Sequence, residues 1–232
     1  MKPYYLSIVI LIICFCRLHP ALSNALQVGK QLPVPNGEIR EYFADSLHIG
    51  KRSHNKIELT LFHTDDTAYV IIKFYAKQNG RWQLRNKYEF EKDALTGCDP
   101  QLQDFNNDKL SDMTYHSAVA ARGANDVRKL FIYDKVSDRL IYIKNSEEYP
   151  NLQYNKELKC IDAFMVYGGC MTAFLKLEGS HLRMFASVEL SDGLTVSEYN
   201  SKGVEKVIFR NPNNPAGYVR YKNYKPLKEW GE

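Results

Sequence analysis

The sequence predicts an all-β protein, an antiparallel meander forming a small β-propeller-like or β-sandwich domain. Three observations carry that expectation. Apolar residues alternate with polar ones at period two in run after run, so each run can bury one face of a strand and wet the other. Turn-forming residues separate the runs at roughly 8–12-residue spacing, the rhythm of sandwiches and propeller blades. Aromatic residues make up 12% of the chain, 16 tyrosines among them, and such side chains favour a pleated surface. No helix-length amphipathic segment competes, and no clean internal repeat is visible.

The first residues read as a targeting segment. Lys2 precedes an apolar run over residues 4–16, shorter than the ~20 residues of a membrane span. Ala21-Leu22-Ser23 then supplies a small-x-small cleavage pattern. Residues 1–23 are therefore expected to be a secretory signal, with lipid anchoring through Cys16 or an uncleaved anchor as alternatives. Residues 24–50 carry few periodic apolar positions and read as an N-terminal arm or a first irregular strand. The β domain is expected over 51–232.

Within that domain the strand runs are 56–62, 68–75, 82–90, 112–118, 129–133, 140–143, 159–167, 171–177, 182–190, 194–199 and 204–209. Met171, Ala173, Leu175 and Leu177 share one face of their run, and Leu182, Met184, Ala186, Val188 and Leu190 share one face of the next. Glu178-Gly179-Ser180 joins these two runs into a hairpin. Thr64-Asp65-Asp66, Asn79-Gly80, the stretch from Asp134 to Asp138, Asp192-Gly193 and Asn211-Pro212-Asn213-Asn214-Pro215 supply other turns. The tail after Asn211 is turn-rich, with Tyr218, Tyr221, Tyr224 and Trp230 available to pack it down.

In an oxidising compartment Cys98, Cys160 and Cys170 invite a disulfide. Gly168-Gly169 reads as a two-residue turn, and that register sets Cys170 opposite Tyr167 and Cys160 opposite Leu177. Those two thiols would then not meet, so a bridge from Cys98 to one of them is at least as good a choice.

The chain has 31 basic and 27 acidic residues, a formal charge of +4, which falls to about +2 if Lys2 and Arg17 leave with a signal. No lysine/arginine block or aromatic-basic stripe appears, so a nucleic-acid partner is not expected. The chain also lacks a Gly-x-Ser-x-Gly elbow, a His-Glu-x-x-His pair and a phosphate-cradling glycine loop. The six histidines form no metal-ligand spacing. The expectation is a protein that is not an enzyme.

One stretch does carry chemistry. Asp104-Phe105-Asn106-Asn107-Asp108-Lys109-Leu110-Ser111-Asp112 sets side-chain oxygens at loop positions 1, 3, 5 and 9, with the Leu110 carbonyl at position 7. Calcium takes six to eight oxygen ligands at about 2.3–2.6 Å, and a tight loop can supply them from alternate side chains and one carbonyl. Asp104, Asn106, Asp108, Leu110 and Asp112 are therefore the expected calcium ligands. Lys109 stands where an EF-hand has its turn glycine, and Tyr115 where it has a bidentate glutamate. The alternative is an Asx-rich surface turn.

The order of features from Asp104 to about Leu190 resembles a family. An acidic loop, a strand "SDMTYHSAV", a loop "AARGAND", a strand "RKLFIYD", a segment "EEYPNLQYNKELKCIDAF", a glycine turn "YGG" and a hairpin follow one another. This is similar to the small secreted FG-GAP-like β proteins that include periplasmic lysozyme inhibitors and calcium-binding muramidase immunity proteins. The resemblance covers somewhat under half of the chain. It implies an acidic loop Asp-x-Asn-x-Asp-Gly-x-x-Asp, met here by Asp104, Asn106, Asp108 and Asp112 with Lys109 in the glycine's place. It also implies inhibition by loops pushed into a lysozyme cleft, at Ala121-Arg122-Gly123-Ala124-Asn125 and Tyr167-Gly168-Gly169. Arg122 would meet a catalytic carboxylate there, with His116 and Tyr167 beside it. The Ser-Gly-x-Tyr element of some such inhibitors is absent. The implied partner is a lysozyme-type muramidase or another envelope protein, and the implied location is periplasmic or secreted, with no membrane span after signal cleavage. The rival reading is a calcium-stabilised adhesion or glycan-binding module of the cell envelope, with Trp82 or Tyr224 as a sugar-stacking platform.

Overall fold

The computed structural model describes residues 37–64, 67–92, 96–215 and 217–230. The proposed signal at 1–23 lies outside the described residues. The first sheet contains β1 (Glu38–Asp45), β2 (Asn55–His63), β3 (Ala68–Gln78) and β4 (Arg81–Lys92). The second contains β5 (Gln101–Gln103), β6 (Asp112–Ala120), β7 (Asn125–Asp134) and β8 (Arg139–Ile143). The third contains β9 (Gln153–Asn155), β10 (Cys160–Val166), β11 (Cys170–Glu178), β12 (His181–Ser191), β13 (Gly193–Tyr199) and β14 (Glu205–Asn211). A hairpin of β15 (Tyr221–Tyr224) and β16 (Leu227–Glu229) ends the described chain. Within each sheet every strand pairs antiparallel with its neighbour in sequence, so the all-β meander holds throughout, without a closed barrel.

The sheets stack in chain order. Ile57, Leu59, Val70, Ile72 and Phe74 of the first sheet share one core with Met113, Tyr115, Phe131 and Tyr133 of the second. The opposite face of the second sheet, through Leu130, Ile132 and Ile143, meets Ile161, Ala163, Ala173 and Leu175 of the third. The far face of the third sheet packs Phe174, Ala186, Val188 and Val196 under Tyr221 and Tyr224 of the final hairpin. The second sheet thus has no wet face along β7, where residues 128–133 are all buried.

Polar clamps fix the layers. Asp138, in the β7–β8 turn, accepts hydrogen bonds from Tyr133 Oη (2.7 Å) and Asn55 Nδ2 (3.0 Å) and pairs with His54 Nε2 at 3.1 Å. Tyr88 Oη donates to the Leu140 carbonyl (2.6 Å), and the Leu140 N–H donates to Asn86 Oδ1 (3.0 Å), which ties β4 to β8. Fully buried Asp162 on β10 receives Asn155 Nδ2 at 2.8 Å and an ion pair from Arg220. That pair clamps the tail, where Tyr221 is buried but Tyr218 and Trp230 are exposed.

Several expectations need correction. Of the two readings of residues 24–50, an arm or a first irregular strand, the described part takes the second as the edge strand β1, and Ile49 is a wholly buried core residue, so the packed β unit takes in residues before 51. The strand is hard to read because it bulges between Ile39 and Glu41 and leaves Ile39 and Tyr42 in solvent. Gly168-Gly169 is not a two-residue turn. Tyr167 N–H donates to the Gly169 carbonyl at 2.9 Å, the loop takes three residues, and Cys170 faces Val166. A Cβ on Gly169 would lie 2.4 Å from the Leu190 carbonyl oxygen, so close approach of backbone fixes that glycine. All three described thiols are free and buried. Cys98 sits in the core between the first and second sheets, whereas Cys160 and Cys170 lie at opposite ends of the β10–β11 hairpin.

Two outcomes follow from these contacts. Burial raises the Asp138 pKa, but bonds from Tyr133, Asn55 and His54 and the charge of Lys51 outweigh it and hold the carboxyl at about 2, below the ordinary 3.8. A depressed folded pKa contributes stability above the unfolded value and loses it as pH falls, here between about pH 4 and pH 2. With solvent reaching the carboxylate, the expected contribution is about 1 kcal/mol; urea midpoints of Asp138→Asn against wild type should differ at pH 7 and converge near pH 2. The Tyr115 hydroxyl is buried and meets no hydrogen-bond partner among the described residues. Tyr115→Phe is therefore expected to raise stability by about 1 kcal/mol in the same titration.

Candidate functional site

The acidic loop closes largely through its own backbone. Asp104 Oδ1 accepts from Asp108 N–H (3.2 Å) and Oδ2 from Lys109 N–H (2.8 Å), while Asn106 Oδ1 accepts from Asp108 N–H (3.0 Å) and Asp108 Oδ1 from Leu110 N–H (2.9 Å). These are nested Asx turns. Asn107 and Lys109 take the left-handed conformation, φ 60° and 70°, so Lys109 adopts the geometry expected of a glycine there. Asp112 points inward and is fully buried. Its two oxygens accept from Phe105 N–H and Tyr133 N–H, both at 2.8 Å, which joins the loop to β7. Burial pushes its carboxyl up to about 7, against those two bonds and with the charges of Asp108 and Asp104 adding to the rise.

The hard-oxygen donor set suits calcium chemically. Among the described residues, however, no three Asp, Glu, His or Cys side chains are gathered so as to hold one ion. Asp112 is turned to the Phe105 and Tyr133 N–H groups, while each carboxylate of the loop keeps acceptor capacity beyond its backbone bonds.

The two loops assigned by resemblance do come together. The β6–β7 connection runs through the 3-10 turn Ala121–Gly123, in which Ala121, Arg122 and Gly123 all have positive φ, 49°, 56° and 95°. The two non-glycine residues store about 1–2 kcal/mol each in that conformation. Arg122 is exposed and forms no ion pair or hydrogen bond with a described residue. At the base of this tip, Asn125 Nδ2 donates to the Val166 carbonyl and Val166 N–H donates back to Asn125 Oδ1, both at 2.9 Å. That reciprocal amide clamp holds the Arg122 loop beside the Tyr167-Gly168-Gly169 turn. Tyr167 is 41% exposed, and its hydroxyl donates to Glu189 at 2.9 Å. Gly123 and Gly168 have nothing within 4 Å of a hypothetical Cβ, so both stand clear of the surrounding structure.

Two placements differ from the sequence reading. His116 is not presented with Arg122; its Nδ1 pairs with Asp126 Oδ1 at 2.6 Å inside the hairpin, its side chain is 14% exposed, and Asp126 also receives Arg128 at 3.0 Å. Asn151, which the sequence did not single out, is a second clamp. Its Nδ2 donates to the Ala124 carbonyl (2.9 Å) and the Phe164 carbonyl (2.7 Å), and its Oδ1 accepts from Asp126 N–H (3.1 Å). The only sequence cue was Pro150-Asn151, an ordinary turn signal that names no partner. Of the two platform candidates, Tyr224 packs against Phe174 and Phe185, 5.6 and 6.1 Å between ring centroids, while Trp82 remains half-buried at the surface of the first sheet.

No protein-family model matches the chain, and no curated protein matches it. One solved structure, described as a Xanthomonas type IV secretion system related protein, superposes with a TM-score of 0.48 at 8% identity, over 75% of this chain and 97% of that one. A likeness of that degree assigns nothing here. Among the described residues no helix is long and apolar enough to cross a membrane.

Because Asp112 faces the Phe105 and Tyr133 N–H groups, 1 mM calcium is expected to raise the melting temperature over chelator by about 1–2 °C. A rise above about 5 °C would mean that Asp112 joins Asp104, Asn106 and Asp108 on the ion.

Proposed function

We propose that this protein is an exported, non-catalytic recognition module that blocks a lysozyme-type muramidase with the paired tip of the β6–β7 loop and the β10–β11 turn. The observation that supports this reading most is the Asn125–Val166 amide clamp, which sets an exposed, unpaired Arg122 beside the Tyr167-Gly168-Gly169 turn. A muramidase cleft holds two carboxylates at close range, and a guanidinium can give one of them a bidentate, charge-assisted bond. The left-handed tip presents Arg122 on a backbone already fixed before contact, which limits the ordering cost of association. Strained loop tips held by surrounding contacts recur at recognition sites. His116, enclosed by Asp126, supports the hairpin and does not touch the partner in this reading. Calcium has no role in the contact.

Turbidimetric lysis of bacterial cells by lysozymes of different types, with and without the mature protein, tests the proposal. Inhibition of one type is expected, with Arg122→Ala weakening it by about tenfold to a hundredfold, the worth of one charge-assisted bond. Asn125→Ala should weaken it as well by freeing the loop from its neighbour. Absence of inhibition across the panel would sink the assignment.

A further inference from the structure

An open recess of about 440 Å³ lies between the acidic loop and the β9–β10 turn, lined by Gln103, Asp104, Asn107, Tyr154, Lys156 and Lys159. That volume falls in the range of small-ligand sites, roughly 300–1,000 Å³. The polar ends of Gln103, Asn107, Tyr154, Lys156 and Lys159 bond no other described residue, and the Asp104 carboxylate is met only by the Asp108 and Lys109 N–H groups. Lys159 also holds the left-handed conformation, φ 51°, which a glycine adopts without strain and a lysine does not. What the lysine adds at that place is a charged side chain lining the recess.

The recess therefore carries two cations from the turn and one carboxylate from the acidic loop, and no ion pair joins them among the described residues. A ligand with a single charge satisfies only one of the two walls. A zwitterion satisfies both, with its carboxylate on Lys156 and Lys159 and its ammonium on Asp104, whose oxygens retain acceptor capacity. The groups between the charges suit a peptide. The amides of Gln103 and Asn107 each donate and accept, as a peptide bond does. Gln103 ends β5 and Tyr154 lies in β9, and each strand is the edge of its sheet, so its outer backbone row pairs with no strand. Extended peptides add to such rows, which a sugar acid would leave unused.

We propose that this recess binds the zwitterionic backbone of a short peptide, with its free carboxylate on Lys156 and Lys159 and its free ammonium on Asp104. The site shares no residue with the Arg122 and Tyr167 tip and is independent of muramidase binding. Amide NMR of the protein titrated with L-alanyl-L-alanine tests it, in chelator so that no cation competes for Asp104. Saturable shifts are expected at Asn107, Tyr154 and Lys159. N-acetylation or C-terminal amidation of the dipeptide should each weaken binding by about tenfold or more, the worth of one charge-assisted bond. Lys156→Gln combined with Lys159→Gln should reproduce the loss seen on amidation with the melting temperature unchanged, since both side chains are exposed. Asp104→Asn should erase the discrimination against the acetylated form. Because Asp104 also closes the acidic loop, the modified dipeptides and the lysine variant carry the test if Asp104→Asn does not fold. No saturable shift at these residues, or binding untouched by the lysine substitutions, would overturn the site. An acetylated dipeptide binding as tightly as the free one would overturn the zwitterion in favour of a lone carboxylate, and an amidated one binding as tightly would do so in favour of a lone ammonium.

Discussion

Burial of β7 on both faces is the constraint on which the rest of the molecule depends. A strand in an ordinary antiparallel sheet can send alternate side chains to water, but here residues 128–133 are all buried. Phe131 and Tyr133 fill one core, and Leu130 and Ile132 fill the next. Arg128 and Lys129 are caught in the same run, 5% and 8% exposed. A buried charge is tolerated only when paired. Arg128 accordingly donates to Asp99, Asp126 and Thr114, and Lys129 pairs with Glu147 while lying over the rings of Phe90 and Tyr142. The Arg128–Asp126 pair is also what encloses His116, so the position of that histidine follows from the burial of a neighbouring strand.

The same layering brings distant loops together. Because the second sheet packs face to face with the third, the β6–β7 connection and the β10–β11 turn emerge side by side. Asn125 and Asn151 then replace water as partners for carbonyls and N–H groups that neither loop satisfies alone. Asparagine suits the task because one planar amide both donates and accepts.

The long strands were legible in the sequence because their period-two pattern records burial of one or both faces. β1 was only half legible, since an edge strand with a bulge exposes apolar side chains and loses its alternation. β5 and β9, three residues each, are too short to show any period. The β10–β11 turn slipped by one residue because Gly-Gly signals a turn without fixing its length; the approach of the Leu190 carbonyl to Gly169 decides it, and that is a tertiary fact. At the candidate site, Arg122, Asn125 and Tyr167 could be placed on loops, but the reciprocal amide bonds joining those loops span 41 residues and leave no local trace. The acidic spacing was visible, whereas the inward rotation of Asp112 toward Tyr133 N–H follows from packing against β7.

The free thiols have a consequence for how the stack comes apart. Cys98 belongs to the core between the first two sheets, and Cys160 and Cys170 to the outer face of the third. Burial raises the pKa of all three thiols, to about 12 at Cys98 and Cys160, and only the thiolate reacts readily. Alkylation at any of them therefore has to wait for its own layer to open. The sequence thus carries native clocks in separate layers of a linear stack, and the order in which they are labelled records whether the sheets separate in succession or all at once.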